Sequence, residues 1–442
     1  MEKNLKKILD KHDLSDRKKV MDFIKDNPEE LTIEELSRIA EIVNNNRTET
    51  AAYYTDFKTL EIIEEYLPNI DKEIIRILEP SAGVGNFLSI IINKYKSAKK
   101  IIIDFNDIDE ESIALIKLLN KYKQIPNNVE INYFNHDFLT YDFENKYDLV
   151  IGNPPFLKLS KKTGLDVYSP MFEDDVTKNI AGFFLQKASN LSENVVLVMP
   201  KYFLHNPDFS LCRERINKFS IEKIVDFGEK GFKGVLIETI ALFINTSKKP
   251  NETISYSVTK DLINIQKQSK ITADEFPSWI IYRNDFFDDL ASNMIFDVFN
   301  AFRDRQITNK ILKDDGEIRV IKSRNILRDG SCIVSIDGYD GYIELNDLKK
   351  CSVYKYLNRD DVYLCPNMTY YPRVLKKPKN SVVNGSVAIL ENKSTYDITK
   401  EDLEFFSGEI FEEFYKIARN YSTRSLNIDS NSVKFFGLIR GK

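Results

Sequence analysis

Short runs of β-branched residues alternate with helix-like segments from about residue 49 to residue 245 of this 442-residue chain. Such alternation predicts a doubly wound α/β sheet that binds its ligands at the carboxyl ends of the strands. The last two runs follow each other without a helix between them, so we expect an antiparallel hairpin at one edge of the sheet. The runs predicted as strands cover residues 74–79, 101–106, 129–134, 147–152, 194–200, 221–227 and 239–245.

The segments on either side of this alternation follow other patterns. Residues 1–48 place apolar residues at helical spacing and predict a short N-terminal helical extension. After about residue 250, short strand-like runs and turn pairs such as Asn384-Gly385 predict a second, α+β domain. We therefore expect an extension (1–48), a doubly wound domain (49–250) and an α+β domain (251–442).

Composition excludes several classes of protein. Hydrophobic residues make up 42% of the chain, more than disordered chains carry, yet no apolar stretch approaches the roughly 20 residues that a membrane helix requires. The N-terminus lacks both an unbroken apolar region and a cleavage site, so we expect a cytoplasmic protein without membrane contact. No C-x-x-C pair predicts a disulfide framework or a structural metal site; the cysteines are Cys212, Cys332, Cys351 and Cys365.

A glycine-containing turn follows the first predicted strand. Gly83 and Gly85 allow a tight turn and a close approach of the backbone to a ligand, and Glu79 lies at the strand end, where its carboxylate could pair with a cationic group. The alternative is an ordinary turn between a strand and a helix. The P-loop spacing and the third glycine of the dinucleotide fingerprint are both absent, so neither of those nucleotide sites is indicated.

Acidic residues follow the next two strands. Asp107 lies about twenty residues after the glycine turn, the distance at which a carboxylate can accept both ribose hydroxyls. Asp109 begins the following helix and is either a second ligand or an N-cap. After the third strand, His136-Asp137-Phe138 offers an acid and an aromatic for the amino edge and the face of an adenine ring, with a capped, half-buried turn as the alternative.

The most specific signal is Asn153-Pro154-Pro155-Phe156, directly after the strand at 147–152. Two prolines stiffen the turn and remove two N–H donors, which leaves the Asn153 amide oxygen and the Pro154 carbonyl as fixed acceptors beside an aromatic face. Such a site can hold a planar amino group and stack on its ring. A rigid connecting loop is the alternative, and the upstream glycine turn and ribose acid disfavour it.

These motifs, with Tyr54-Thr55-Asp56 before them, resemble the S-adenosylmethionine-dependent N6-adenine DNA methyltransferases of the gamma class, the Taq-type arrangement. The resemblance implies a Rossmann-like methyltransferase catalytic domain at 49–250 and a DNA target recognition domain at 251–442. Phe156 departs from the family, in which tyrosine is commoner at that position. The residues implied to bind S-adenosylmethionine are Thr55, Glu79, Ala82, Gly83, Gly85, Asp107, Asp137 and Phe138.

The resemblance also assigns the target base. Asn153 and Pro154 would accept hydrogen bonds from N6 of a flipped-out adenine, Phe156 would stack on the base, and Phe232 matches the second stacking residue of the family. Flipping is needed because N6 is inaccessible inside a duplex. The alternative of C5-cytosine methylation requires a Pro-Cys nucleophile, and the chain has only the reverse pair Cys365-Pro366.

A basic segment in the C-terminal part is the candidate DNA contact. Residues 362–390 contain no acid, and we expect Arg373 to contact base or phosphate, followed by Lys376 and Lys377. A solvated loop is the alternative. Arg419 and Arg424 are a weaker second pair.

Two rival functions are weighed against a DNA adenine methyltransferase. Asn-Pro-Pro-aromatic motifs also serve RNA and protein-glutamine methyltransferases, which seldom carry a C-terminal domain of this size. A non-catalytic DNA-binding specificity subunit is expected to lose Gly83, Asn153 or Pro154, and all three are present. We expect a monomer that acts on double-stranded DNA within a restriction-modification system, with any cleavage carried out by a separate restriction endonuclease.

Overall fold

A computed structural model describes residues 2–43, 57–229, 237–367, 371–423 and 427–440. The chain divides into two compact units, Met1–Ser269 and Lys270–Lys442. The division falls later than the boundary expected at residue 250, because two further strands continue the sheet of the first unit. Among the described residues, no helix is both long and apolar enough to cross a bilayer.

The first unit is built on a nine-stranded sheet within the described residues, in the order β3-β2-β1-β4-β5-β7-β6-β8-β9. The seven predicted strands are all present as β1 to β7. The strands are β1 (Ile74–Glu79), β2 (Lys100–Asn106), β3 (Val129–Phe134), β4 (Tyr147–Gly152), β5 (Ser192–Pro200), β6 (Ser220–Gly228), β7 (Thr239–Asn245), β8 (Glu252–Ser257) and β9 (Leu262–Lys267).

The strand pairing confirms the doubly wound sheet and corrects one detail. Strands β1 to β5 pair in parallel, which brings the carboxyl ends of β1, β2, β3 and β4 to the same side of the sheet. Strands β6 and β7 form the expected antiparallel pair. They do not lie at the edge, because β8 pairs with β6 in parallel and β9 then forms the border of the sheet.

Helices of the first unit precede this sheet and connect several of its strands. Their buried faces carry the apolar residues whose helical spacing is visible in the sequence. The helices are α1 (Glu2–Lys11), α2 (Arg17–Asp26), α3 (Ile33–Val43), α4 (Phe57–Tyr66), α5 (Leu88–Tyr95), α6 (Glu110–Asn120), α7 (Leu165–Met171), α8 (Ile180–Leu191) and α9 (Ser210–Asn217).

The N-terminal helices α1 to α3 pack against the glycine turn and against α6. Their apolar faces form one buried cluster with Val84 of the glycine turn and with Leu115 and Leu119 of α6. Polar contacts join the same elements, since Tyr122 Oη donates to the carbonyl of Ile24 at 2.6 Å. The extension is therefore part of the first unit and lies behind the glycine turn.

The second unit is an α+β fold with its own core, as expected. Buried residues, most of them aliphatic, from the strands of two of its sheets and from the segments between those strands make up this core. Its sheets, in the described residues, have the orders β11-β17-β14-β15, β13-β12-β16 and β10-β18.

Short strands and four helices make up the described part of this unit, and α10 spans the division between the units. The strands are β10 (Met294–Ile295), β11 (Phe299–Arg303), β12 (Ile318–Ile321), β13 (Gly341–Ile343), β14 (Val362–Pro366), β15 (Leu375–Lys376), β16 (Ser381–Val383), β17 (Val387–Asn392) and β18 (Leu438–Ile439). The helices are α10 (Gln268–Ile271), α11 (Asp285–Ser292), α12 (Leu345–Leu348), α13 (Lys400–Phe406) and α14 (Glu409–Ala418).

Candidate active site

The glycine turn joins β1 to α5 and adopts a conformation that requires glycine. Gly83 has φ +59° and Gly85 has φ +72°, in the left-handed region that side chains with a Cβ disfavour. A Cβ on Gly85 would lie 3.3 Å from Cγ2 of Ile116, so α6 also limits the space there. The Ala82 amide donates to the carbonyl of Asn106 at 3.0 Å, which ties the turn to the end of β2.

Asp107 holds this turn from the end of β2. Its Oδ2 accepts from the Gly83 amide at 2.8 Å, and its Oδ1 accepts from the Asp109 amide at 3.0 Å. Burial raises the pKa of the Asp107 carboxyl to about 6, and these two amide donors oppose that shift. The residue predicted to bind ribose is thus fixed beside the turn, with lone pairs of both oxygens left for further donors.

Glu79 is the most deeply buried acid of the site. Only 1% of the residue is exposed, and its Oε2 has no hydrogen-bond partner among the described residues. Burial raises the pKa of Glu79 well above its usual value; the cation of Lys123 opposes this shift and the charge of Asp107 adds to it. An unpartnered carboxylate oxygen at the end of β1 is suited to a cationic ligand such as an ammonium group.

Lys123 reaches the same region from the segment after α6. Its Nζ donates to the carbonyl of Gly85 at 3.3 Å. Burial lowers the pKa of Lys123 to about 8, and the neighbouring charge of Glu79 works against this shift. Sequence inspection did not single out this lysine, because nothing in its local pattern distinguishes it from a solvent-exposed lysine.

Asn106 is a second residue that the sequence did not reveal. Its side chain is fully buried and its Nδ2 donates to the carbonyls of Pro80 at 3.1 Å and His136 at 3.0 Å. Its Oδ1 accepts from the His136 amide at 3.2 Å. One amide therefore joins the ends of β1, β2 and β3, and a polar residue closing an apolar strand is the only local signal of this role.

Asp109 was expected to be either a second ligand or an N-cap, and its carboxylate contacts two side chains of the protein. It occupies the N-cap position of α6, but its side chain makes no capping hydrogen bond there. Its carboxylate instead accepts from Ser112 Oγ at 2.7 Å and pairs with Arg17 of the N-terminal helix α2. The N-terminal helices thus hold the acid that follows Asp107.

The Asp137-Phe138 pair follows β3, and its two residues differ in accessibility. Asp137 is half-buried; its Oδ1 accepts from the Leu139 amide at 2.9 Å, and its Oδ2 accepts from Tyr168 Oη at 3.1 Å. Phe138 is buried, with its ring centroid 4.8 Å from that of Phe184. The structure therefore places the acid where a ligand can reach it and packs the phenyl ring into the core.

The Asn153–Phe156 loop lies beside the glycine turn because β4 is the parallel neighbour of β1. Ser81 Oγ donates to the backbone carbonyl of Asn153 at 3.2 Å. A Cβ on Gly152 would lie 3.2 Å from the Pro80 ring, so the two strand ends are in close contact. Asn153 is half-buried, whereas Pro154 and Phe156 are buried. The two strongest sequence motifs thus meet at one point.

Three of the predicted residues lie outside the described part of the chain. They are Thr55 of the first cofactor motif, Phe232 of the second stacking position and Arg424 of the weaker basic pair. Their predicted roles stay predictions.

A buried ion pair lies at the neighbouring strand ends. Nζ of Lys201, which follows β5, is 2.8 Å from Asp226 Oδ2 of β6 and 3.5 Å from Glu238 Oε1 just before β7. All three residues are at most 4% exposed. The sequence contains no motif for this group, because its members are far apart in the chain. The strand order β5-β7-β6 brings them together.

Two lysines of the basic segment, Lys376 and Lys377, were both expected to contact DNA, and they differ in burial. Lys377 is 1% exposed, and its Nζ donates to the carbonyls of Leu357 at 3.2 Å, Arg359 at 3.1 Å and Pro378 at 2.8 Å. All three ammonium donors are used inside the unit, so the predicted DNA contact of Lys377 is wrong for this geometry. Lys376, the preceding residue, is exposed and fits the prediction.

The two arginines expected to contact DNA are also held by the protein. Arg373 is half-buried and donates to the carbonyls of Ile326, Tyr371 and Ser323 at 3.1–3.3 Å. Burial lowers the pKa of Arg373. Arg419 is 5% exposed. Both therefore support the fold of the second unit, which leaves Lys376 as the better surface candidate.

Comparison of the sequence with known proteins finds similar methylases and methyltransferases. Residues 27–232 match the model of the Eco57I restriction-modification methylase family. The type II methyltransferase M.VspI of Vibrio sp. (strain 343) is 26% identical over 247 residues, 54% of this chain and 59% of the relative. The type II methyltransferase M.AccI of Acinetobacter calcoaceticus is 22% identical over 247 residues, 53% of this chain and 44% of the relative.

The chain thus spans about half the length of these relatives. Among solved structures, the type IIG restriction endonuclease BpuSI superposes with a TM-score of 0.48 and 13% identity, over 93% of this chain and 61% of that one. The sequence matches confirm the resemblance to restriction-modification methylases and S-adenosylmethionine as the cofactor of this fold. The glycine turn without a Cβ and the unpartnered oxygen of buried Glu79 fit that cofactor.

Proposed function

Because residues 27–232 match restriction-modification methylases, we propose that the chain is a site-specific DNA adenine-N6 methyltransferase of the gamma, Taq-type arrangement. It would transfer a methyl group from S-adenosylmethionine to a flipped-out adenine in double-stranded DNA. The observation that carries the proposal is the contact of the Asn153 loop with the glycine turn, through the 3.2 Å hydrogen bond from Ser81 to the Asn153 carbonyl. It brings an amino-group acceptor beside a cofactor cradle.

The residues around the glycine turn would bind the cofactor. Glu79 would pair with the ammonium group of its methionine part, and this ion pair would satisfy the oxygen that now lacks a partner. Asp107 would accept the ribose hydroxyls with the lone pairs that the Gly83 and Asp109 amides leave free. Asp137 would accept from the amino edge of the adenine moiety. When bound, S-adenosylmethionine supplies a methyl group on a positively charged sulfur.

The Asn153 loop would hold the target base. The Asn153 amide oxygen and the Pro154 carbonyl would accept the two protons of N6, which favours a pyramidal nitrogen whose lone pair is free for attack. Phe156 would stack on the base. Since Phe156 is only 6% exposed, the groups that cover its ring must move aside when the base enters. No covalent intermediate with the enzyme is needed.

The test is to identify the methylated product. Purified protein is incubated with labelled S-adenosylmethionine and unmethylated genomic DNA, and the DNA is then digested to nucleosides. We expect label in N6-methyl-2′-deoxyadenosine only, and none with the Asn153→Ala variant. Label in cytosine, or transfer to RNA or to a glutamine-containing protein but not to DNA, would refute the proposal.

Cofactor affinity is expected to depend on pH through Asp107. Ribose hydroxyls donate to its carboxylate and favour the charged form, so binding below the pKa of about 6 must release a proton. Through Asp107 the affinity for S-adenosylhomocysteine should therefore rise with pH by up to about tenfold per unit below pH 6; Glu79, whose pKa is also raised, adds a rise of its own. Calorimetric titration between pH 5 and pH 8 measures this.

The Asp107→Asn variant is the control for this prediction. An amide does not titrate, so the variant should bind more weakly, and its slope below pH 6 should be smaller than that of wild type by up to about tenfold per unit. An unchanged slope in the variant would assign the titration to another group, of which Glu79 is the nearest whose pKa is raised.

Substitutions at two adjacent lysines are expected to affect DNA binding differently. Lys376→Ala should weaken binding to duplexes of any sequence and lower the slope of log Kd against log salt by about one. Lys377→Met should leave that slope unchanged and reduce stability, because its ammonium group binds three carbonyls. Lys350→Ala, at another exposed lysine of the second unit, is the control. Equal slopes for wild type and Lys376→Ala would contradict the prediction.

A further inference from the structure

A hydrogen bond links the segment after the Asn153 loop to the acid that follows β3. Tyr168 Oη donates to Asp137 Oδ2 at 3.1 Å, while Asp137 Oδ1 is held by the Leu139 amide at 2.9 Å. Tyr168 lies in α7, between the Asn153 loop and helix α8. Neither the motifs nor the relatives single out this tyrosine.

Tyr168 lies in an excursion of the chain, residues 157–180, whose two ends are hydrogen-bonded to each other. The Leu159 amide donates to the Lys178 carbonyl at 2.7 Å, and the Ile180 amide donates to the Leu157 carbonyl at 3.0 Å. These bonds join the two ends of the excursion next to Phe156, whose carbonyl accepts from Asn179 Nδ2 at 3.3 Å. The excursion is therefore anchored at the target-base loop and extends to the end of β3.

The position of the Tyr168 ring is fixed by its neighbours. Gly164, which begins α7 with φ +97°, would place a Cβ 2.9 Å from Cε2 of the tyrosine ring, so only glycine lets the ring lie there. The ring centroid is 6.2 Å from that of Phe183 in α8. Burial, together with the neighbouring Asp137, raises the pKa of Tyr168 to about 12, so its hydroxyl is protonated and donates at neutral pH.

We infer that Tyr168 is a positioning residue for the adenine end of the cofactor site, where it orients the Asp137 carboxylate to accept the exocyclic amino group. With Oδ1 bound to Leu139 and Oδ2 bound to Tyr168, the carboxylate cannot rotate, and its remaining lone pairs keep one direction. The inference rests on the role of Asp137 in the proposed function. It makes Tyr168 a determinant of selectivity for a 6-amino purine.

The chemistry of two ligands distinguishes this role from a structural one. S-Adenosylhomocysteine presents an amino group that donates to Asp137, whereas its hypoxanthine analogue presents a carbonyl oxygen that a fixed carboxylate repels. Tyr168→Phe removes the hydroxyl and keeps the ring. The dissociation constant for S-adenosylhomocysteine should then rise by about two- to tenfold, because binding must order a carboxylate that the hydroxyl no longer holds. That for the analogue should change less than about twofold.

The experiment is calorimetric titration of both ligands into wild type, Tyr168→Phe, Asp137→Ala and Tyr95→Phe. Tyr95→Phe is the matched control, because it removes a hydroxyl that donates to the Pro68 carbonyl at the opposite end of β1. It should leave the ratio of the two affinities unchanged. Equal weakening of both ligands by Tyr168→Phe, or no change in either, would overturn the inference.

The variants Asp137→Ala and Tyr168→Phe distinguish a failure of this inference from a failure of the proposed function. Loss of selectivity in Asp137→Ala together with wild-type selectivity in Tyr168→Phe refutes only the role of Tyr168. Unchanged selectivity in Asp137→Ala refutes the adenine assignment on which the inference depends. Binding is measured without DNA, so failure to methylate DNA does not affect the result, and wild type that binds neither ligand would refute the cofactor site itself.

Discussion

Asn153→Ala is expected to lower the rate of methyl transfer by about 10²–10³-fold, the scale on which one oriented polar group contributes to a transition state. The loss should appear in kcat, because the amide oxygen interacts most strongly with N6 as that nitrogen becomes pyramidal. The affinity for S-adenosylhomocysteine should stay within about twofold, since the residues proposed to bind the cofactor lie at the ends of β1, β2 and β3 and not in the Asn153 loop. Single-turnover kinetics at saturating DNA and cofactor, with parallel calorimetry, measure both quantities.

Two variants control this prediction. Asn153→Asp keeps an acceptor oxygen at the same position and should retain more activity than the alanine variant at neutral pH. Asn190→Ala removes an exposed amide at the end of α8 and should have wild-type activity. A folded Asn153→Ala protein that keeps more than a tenth of the wild-type rate would show that the amide does not activate N6.

The strands of the first unit were predictable because their pattern is local. Runs of buried aliphatic residues between helical segments marked β1 to β7, and each is a strand in the structure. Strands β8 and β9 escaped prediction because neither is a continuous run of buried aliphatic residues. Buried and less buried positions alternate along β8, and β9 exposes Ile263 and Ile265. Their membership of the sheet depends on the pairing of β8 with β6, which the sequence does not encode locally.

In the candidate site, too, features with a local sequence pattern were predictable and features that depend on distant partners were not. Motifs at strand ends pointed to Glu79, Asp107 and Asn153 as candidates, because the topology of a parallel sheet brings strand ends together. Their roles stay predictions. Asn106 and Tyr168 could not be found in this way, since their roles depend on partners about 30 residues away in the chain.

Burial of charged groups is the other property that the sequence conceals. Lys376 and Lys377 are adjacent in an acid-free segment and look equivalent there. In the structure one is exposed and the other points to three carbonyls, because successive side chains of an extended segment point to opposite sides. Composition therefore could not show which cations of this segment lie at the surface, and the basic DNA contact stays a prediction.

Lys201→Met is expected to reduce the free energy of unfolding by about 3–5 kcal/mol, the cost of removing one partner from a buried ion pair. Methionine has nearly the volume of lysine, so the change mainly deletes the cation that faces Asp226 at 2.8 Å and Glu238 at 3.5 Å. Both carboxylates would stay in surroundings that exclude water, because each residue is at most 4% exposed. Denaturant unfolding of wild type and variant measures the difference.

A matched lysine shows whether burial causes the effect. Lys72 pairs with Asp148 at 2.6 Å, but its side chain is 49% exposed, so Lys72→Met should cost less than about 1 kcal/mol. The double variant Lys201→Met/Asp226→Asn should recover part of the loss, since it removes one of the two charges left behind. A Lys201→Met protein as stable as Lys72→Met would mean that the group at the ends of β5, β6 and β7 is hydrated. The strand ends beside the Asn153 loop would then be open to water instead of forming a dry, rigid wall for that loop.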